Sequence, residues 1–268
     1  MAAKDATETD ILLREDRGRV AILTLNRPQA LNALSREMLS ALQAMLDGLA
    51  RDRTIRVVVI RGAGRAFCAG HDLKQMTAWR ADPDGGREAF ASLFAQCARM
   101  MTSIRALPQP VIAEVHGIAT AAGCQLVATA DMAVAAETAR FGVNGVNIGL
   151  FCSTPMVALS RNVAAKHAFE MLTTGDLISA ARAAEIGLVN RVATEVDLTA
   201  ETLALADQVA GKLAHAVRIG KRAFYEQAEM SLDAAYAHTG RVITENMLHG
   251  ETEEGVAAFL EKRPPNWD

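Results

Sequence analysis

The segment Arg65–Leu73 reads Arg-Ala-Phe-Cys-Ala-Gly-His-Asp-Leu and follows the apolar run Val57–Ile60. A second segment, His116–Gln125, reads His-Gly-Ile-Ala-Thr-Ala-Ala-Gly-Cys-Gln and follows the apolar run Val111–Ala113. Each segment leads from a predicted strand through small residues into a predicted helix. The first N–H groups of a helix have no partner inside it, and the peptide dipoles leave partial positive charge there. The sequence therefore predicts two helix starts whose main-chain N–H groups face one pocket, as in an oxyanion hole.

The pattern around these segments predicts an α/β fold with buried parallel strands and right-handed crossovers. The predicted strands are Ile11–Glu15, Arg19–Leu25, Arg56–Arg61, Val111–Val115 and Leu188–Val192. The first predicted helix begins at the Ser35 cap and ends near residues 51–53, and another follows the second segment and ends near Thr129. Further predicted helices cover Leu73–Arg80, Arg87–Ala106, Met156–Met171 and Ala180–Ile186. From Thr199 onward the pattern is helical, with further helices at Ala216–Ala228, Leu232–Leu248 and Thr252–Glu261.

Composition narrows the classes of partner. Half of the 268 residues are apolar, and the net charge is −3 with scattered Lys and Arg, which argues against nucleic acid and anionic lipid as partners. No apolar run reaches the roughly 18 residues that span a bilayer. The four cysteines form no CxxC pair and the acidic N-terminus resembles no presequence. We therefore expect a cytoplasmic protein with reduced thiols and a small-molecule ligand.

Residues Ala66–Leu73 and Gly117–Gln125 resemble the two oxyanion segments of the crotonase (enoyl-CoA hydratase/isomerase) superfamily. Further segments resemble it in the same order along nearly the whole chain: Leu25–Pro28, Leu31–Leu34, Phe141–Gly142 and Phe259–Arg263. The divergent branch described as enoyl-CoA hydratase domain-containing is the most similar. The resemblance implies a spiral of ββα units over residues 1–198 and an α-helical trimerisation module over residues 199–268. It also implies a homotrimer, or a hexamer built from two trimers.

The resemblance also implies an acyl-CoA ligand, with coenzyme A entering as part of the thioester substrate and with neither a separate cofactor nor a metal. The oxyanion donors would be the main-chain N–H groups of His71 and Ala122, which polarise the thioester carbonyl. The other implied substrate contacts are Arg27 near the phosphates, the segment residues Ala66, Phe67, Ala69 and Gly70, and Phe259 with Lys262 from the C-terminal helix of the same or a neighbouring subunit.

The chain departs from this family at both acid/base positions. Where hydratases of the family carry glutamates, this sequence has Gln125 and Gly145. An amide can orient a water molecule but cannot accept its proton near neutral pH. We therefore expect enolate or oxyanion stabilisation with impaired hydration, and isomerisation, hydrolysis and slow hydration stay open. A non-catalytic acyl-CoA-binding or assembly protein on the same scaffold is the alternative.

Other polar residues have simpler interpretations. Asp72 is predicted to cap the helix that begins at Leu73, and His116 is predicted to be structural. Glu114 is predicted to cover a sheet edge or to pair with an arginine, and Asp131 to be a turn residue. The imidazole of His71 has a suitable ordinary pKa for acid/base work. The stretch Cys152–Thr154 offers a thiol and hydroxyls but no base to activate them.

Overall fold

A computed structural model describes residues 10–267; residues 1–9, whose composition argued against a presequence, lie outside the described part, as does residue 268. The strands are β1 Leu12–Arg17, β2 Val20–Leu25, β3 Val57–Gly62, β4 Val111–Val115, β5 Ile118–Thr120, β6 Met132–Ala136, β7 Arg140–Gly142, β8 Ile178–Ser179 and β9 Arg191–Ala193. The helices are α1 Arg36–Leu49, α2 Leu73–Trp79, α3 Arg87–Ala106, α4 Ala122–Thr129, α5 Ser153–Leu159, α6 Ala165–Thr174, α7 Ala180–Glu185, α8 Leu198–Ala210, α9 Ala214–Gln227, α10 Leu232–Met247 and α11 Gly250–Leu260. The predicted α/β class is confirmed.

The main sheet brings the two candidate oxyanion segments to one edge. Its strand order is β1-β2-β3-β4-β6-β9, and every pair except β1 with β2 is parallel. Strands β3 and β4 are direct neighbours, with Val58 opposite Val111 and Ile60 opposite Ala113. The carboxyl ends of neighbouring parallel strands lie at the same edge, and each candidate segment follows one of these ends. The fold thereby places residues 65–73 beside residues 116–125.

A smaller sheet contains β5, the strand that lies within the second segment. Strand β5 pairs in parallel with β7, and β7 pairs antiparallel with β8. An isolated bridge joins Cys68 to Ala119, and another joins His71 to Leu34. Main-chain hydrogen bonds therefore link the first segment both to β5 and to the loop before α1.

Helix α1 shows how the helical pattern produces the core. The Ser35 hydroxyl accepts a hydrogen bond from the Met38 N–H at 3.3 Å and so caps the helix. Its apolar face is fully buried and consists of Met38, Leu39, Leu42, Leu46 and Leu49. Each such side chain contributes about 1.5–3 kcal/mol on burial. Helix α1 packs against α3.

One predicted helix is wrong. The residues predicted as a single helix, Met156–Met171, form α5 and α6 with a break between them. The Asn162 amide donates to the Ala128 and Ala158 carbonyls at 2.7 and 2.8 Å. Ala164 then adopts an extended backbone with ψ of 142°. A side-chain amide that bonds to main-chain carbonyls competes with helix continuation, and this competition ends α5.

The predicted strand Leu188–Val192 is displaced toward the C-terminus. The strand is β9, while Leu188 and Val189 are buried in the turn before it. Gly187 has a φ of +81°, and the Leu188 N–H donates to the Ala183 carbonyl at 2.8 Å. This left-handed glycine and its bond back to α7 form a helix C-terminal cap, which delays the strand.

A buried ion pair attaches α9 to the core. The Lys221 ammonium lies 2.6 Å from the Asp131 carboxylate and also donates to the Ile104 and Gln109 carbonyls at 3.0 and 2.9 Å. The Tyr225 hydroxyl donates to the other Asp131 oxygen at 2.7 Å. Asp131 lies in the bend between α4 and β6, which agrees with its prediction as a turn residue, and its carboxylate is also the centre of this buried network.

The helices after α7 differ in how they contact the sheet. Helix α8 packs on strands β2, β3, β4, β6 and β9. Helix α10 packs on α9 but has no buried residue. The division of the chain at residue 198 stays a prediction. In the described part of the chain, no helix has both the length and the apolar character needed to cross a membrane.

Candidate active site

The two candidate oxyanion segments touch through glycines that have no room for a side chain. A Cβ atom on Gly70, whose φ is +94°, would lie 2.9 Å from the Ala121 Cβ and 3.3 Å from the Ala122 nitrogen. A Cβ atom on Gly123 would collide with the carbonyl oxygen of Cys68. The Thr120 N–H also donates to that carbonyl at 3.0 Å. Glycine is therefore required by the close approach of the two backbones.

The two main-chain N–H groups expected to act as donors are unpaired. Within residues 10–267, neither the His71 N–H nor the Ala122 N–H donates to a protein acceptor. Ala121, directly before Ala122, has a φ of +49° and a ψ of −117°. Such a conformation costs a non-glycine residue roughly 1–3 kcal/mol and is concentrated at functional sites. Strain at this turn supports a functional role for the start of α4.

Both segments line one cavity of about 350 Å³, which we call the first cavity. Its walls include Ala69, His71, Ala122 and Gly145, so the structure brings together three of the four predicted catalytic positions. The volume is in the range of small-molecule sites. Among the described lining residues, His71 and Cys152 are the titratable ones, and no Asp or Glu lines the cavity.

Gly145 is held by close contacts. A Cβ atom there would collide with the Leu150 carbonyl oxygen and lie 2.9 Å from the Cys152 sulfur. The Leu150 N–H donates back to the Gly145 carbonyl at 3.0 Å. A glutamate at this position would therefore need a different course of the 145–152 backbone.

Gln125, the fourth predicted catalytic position, is not among the residues that line the first cavity. It lines a neighbouring cavity of about 370 Å³, the second cavity. Three residues advance a helix by about 4.5 Å, which carries this side chain beyond the space next to Ala122. Gln125 is 5 % exposed, and its amide oxygen has no hydrogen-bond partner in the described chain.

His71 holds its imidazole against the wall of the first cavity. Its Nδ1 atom lies 3.2 Å from the Leu34 carbonyl oxygen, and its ring meets Phe94 edge-on at 5.6 Å. A carbonyl accepts, so Nδ1 carries the hydrogen and Nε2 is the unprotonated nitrogen. Burial lowers the pKa of His71, outweighing the hydrogen bond to Leu34. The ring is therefore neutral near pH 7. No pattern in the sequence indicates that Phe94 of α3 would line this cavity.

The thiols have little nucleophilic character. All four cysteines are unpaired and buried. Burial raises the pKa of Cys68, Cys97 and Cys124 to about 12 and also raises the pKa of Cys152. The attacking form of cysteine is the thiolate, so these side chains stay protonated near neutral pH.

The residues predicted to contact coenzyme A lie in different environments. The Arg27 guanidinium is 3.1 Å from the Asp72 carboxylate, which also caps α2 by accepting from Lys74 N–H at 3.1 Å. Ala66 and Phe67 are buried, whereas Phe259 is 81 % exposed. Lys262 follows α11 with a φ of +56°. Phe259 and Lys262 are not among the residues that line the first cavity of their own chain.

Two further residues have structural roles. His116 Nε2 lies 2.8 Å from the Gly64 carbonyl oxygen, which agrees with its predicted structural role. Glu114 lies in the buried strand β4 and accepts from the Thr199 hydroxyl at 3.1 Å. The prediction of a sheet-edge or arginine-paired Glu114 is therefore wrong, because β4 runs through the interior of the sheet. No group of three potential metal ligands occurs among residues 10–267.

The arrangement of strands, helices and loops is the crotonase fold. The solved structure of an enoyl-CoA hydratase from Mycobacterium smegmatis superposes with a TM-score of 0.93 at 53 % identity, covering 97 % of this chain and 99 % of that one. The structure of human enoyl-CoA hydratase domain-containing protein 3 has a TM-score of 0.91 at 41 % identity, covering 96 % and 100 %.

The chain belongs to the enoyl-CoA hydratase/isomerase family, whose sequence model matches residues 15–268. Enoyl-CoA hydratase domain-containing protein 3, mitochondrial, from Xenopus laevis is 44 % identical over 256 residues, or 96 % of this chain and 85 % of that protein. The Homo sapiens protein of that name is 43 % identical, over 91 % of this chain and 79 % of its own. Because these relatives are named mitochondrial, the predicted cytoplasmic location is contradicted.

Proposed function

We propose that this protein binds an acyl-CoA thioester in the first cavity and stabilises the enolate or oxyanion that develops at its carbonyl oxygen. The donors are the His71 N–H and the Ala122 N–H. The proposal is supported by the fact that His71 and Ala122 line one cavity and that neither main-chain N–H donates to a protein acceptor in the described chain. A preorganised N–H donor contributes about 10²–10³ in rate.

Ordinary hydration is proposed to be impaired. Adding water to an enoyl thioester needs a group that takes a proton from water and one that delivers a proton to carbon. Gln125 and Gly145 can do neither, and the described walls of the first cavity hold no carboxylate. Since general acid/base groups supply about 10²–10⁴ each, hydration should be slower by at least that factor than in a relative with both carboxylates. Enolate-forming reactions that need less proton transfer stay compatible with the site.

The test measures binding and turnover separately. Calorimetry with acetyl-CoA and with free acetate should give heat only for the thioester, because the coenzyme A contacts dominate binding. Loss of the conjugated enoyl absorbance of crotonyl-CoA should be far slower than the ~10 s⁻¹ of an ordinary enzyme. If neither acetyl-CoA nor acetate gives a binding heat, the binding proposal is refuted. If crotonyl-CoA is hydrated at the rate of an ordinary enzyme, the proposal of impaired hydration is refuted.

A non-catalytic acyl-CoA-binding or assembly role is the second candidate. The lack of a carboxylate around the first cavity favours it. The two roles separate when acyl-CoA substrates for isomerisation and hydrolysis are incubated with the protein. Binding without any chemical change, at protein concentrations equal to the substrate, favours the non-catalytic role.

We also propose that the protein forms a homotrimer, or a hexamer of two trimers. Helices α10 and α11, together with the residue that follows α10, expose large apolar side chains: Leu232, Tyr236, Ile243, Met247, Leu248, Phe259 and Leu260. A surface of this kind is typical of protein interfaces. Sedimentation equilibrium should give three or six times the chain mass of 28.6 kDa, and a monomer at micromolar concentration would contradict this.

A further inference from the structure

Helices α4 and α5 pack against each other and carry residues that line both the first and the second cavity. Ala122 at the start of α4 lines the first cavity, and Gln125 further along the same helix lines the second. Thr154 lines both. An acyl group whose carbonyl lies at Ala122 would therefore extend past Thr154 into the second cavity.

Gln125 presents an unsatisfied amide to that second cavity. The residue is 5 % exposed, and its amide oxygen has no hydrogen-bond partner in the described chain. A buried polar atom without a partner costs about 1–3 kcal/mol. The oxygen itself is enclosed, so the amide offers a ligand its N–H groups as donors.

Arg105 supplies positive charge to the same cavity. It lies in the last turn of α3, half-buried, with its guanidinium 4.3 Å from the centre of the Tyr225 ring. The other arginine of the cavity, Arg161, is 3.5 Å from the Glu229 carboxylate. Arg105 has no carboxylate within ion-pair distance among the described residues. An anionic group of a ligand in the second cavity could therefore pair with the Arg105 guanidinium.

We propose that the second cavity holds the distal part of the acyl group and that this part ends in a carboxylate, so that the ligand is a dicarboxylic acyl-CoA. Arg105 pairs with the distal carboxylate, and Gln125 donates to it or to an oxygen next to it. Both act as specificity-determining residues. This inference rests on the proposed binding of a thioester in the first cavity and adds the chemical class of its acyl group.

The test compares hexanoyl-CoA with adipoyl-CoA, which have the same number of carbon atoms and differ by the distal carboxylate. Calorimetry should show adipoyl-CoA binding about tenfold more tightly to the natural protein, since a hydrogen bond to a charged group in a partly open site is of that order. Arg105→Met should abolish the preference, and Gln125→Leu should reduce it. Arg99→Met is the matched control, because Arg99 is exposed on the same helix and lines neither cavity.

Preservation of the preference in Arg99→Met together with its loss in Arg105→Met supports the inference. Equal binding of the two thioesters by the natural protein overturns it, as does a preference that survives Arg105→Met. Both of these results leave thioester binding intact and so leave the proposed function standing. Binding of neither thioester removes the proposed function and this inference together.

Discussion

Replacing Lys221 by methionine should destabilise the protein strongly, because it leaves a buried charge without its partner. The Lys221 side chain is 6 % exposed and that of Asp131 is 12 % exposed, so solvent screens the pair little. Methionine keeps most of the side-chain volume but removes the charge. Breaking a buried ion pair by removal of one partner costs about 3–5 kcal/mol. The remaining partners of Asp131, the Tyr225 hydroxyl and the Val111 N–H, can only lessen that cost.

The free energy of unfolding should be measured by urea denaturation, followed by far-ultraviolet circular dichroism. All variants need the same protein concentration, since association shifts apparent stability. Arg222→Met is the matched control, because Arg222 is the next residue of α9 and is exposed. Its expected change is within about 0.5 kcal/mol.

The double variant Asp131→Asn with Lys221→Met decides whether the pair is the cause. It should lose less than the sum of the single losses, with a coupling of about 0.5–3 kcal/mol. The reasoning is refuted if Lys221→Met costs no more than Arg222→Met, or if the two single losses simply add.

The remaining predictions concern the walls of the first cavity. Burial lowers the pKa of His71, so between that lowered pKa and about 6.5 the unfolded chain binds more protons than the folded chain. The free energy of unfolding, measured by urea titration, should therefore fall as pH drops through this window. The fall should be smaller in His71→Gln, and an equal fall in the natural protein and this variant would contradict the prediction. Gly145→Glu should lower the melting temperature without restoring crotonyl-CoA hydration, because its Cβ meets the Leu150 carbonyl; a stable, active variant would refute the steric argument. Gly123→Ala should destabilise the protein by several times the few tenths of a kcal/mol typical of surface changes, because its Cβ would collide with the Cys68 carbonyl. Gly220→Ala in α9 has open space around its Cβ and should stabilise the protein by about 0.5–1 kcal/mol. Equal denaturation midpoints for the two variants would contradict this.

The sequence alone determined the α/β class and the two segments after β3 and β4, and it predicted that Gln125 and Gly145 stand at the acid/base positions. These features are local, because strand periodicity, helix periodicity and glycine-rich turns can each be recognised from a short stretch of sequence. It also indicated the family, because the motifs occur in order along the chain.

Only the tertiary structure decided which cavity each side chain enters and which polar groups pair. Asp131 and Lys221 are 90 residues apart in the chain, and Glu114 and Thr199 are 85 apart. No local pattern relates residues so distant, because their contact depends on how α8 and α9 pack against the core. The break between α5 and α6 has the same origin, since Asn162 bonds to a carbonyl at the end of α4. Gln125 and Ala122 are three residues apart on one helix, yet they line different cavities.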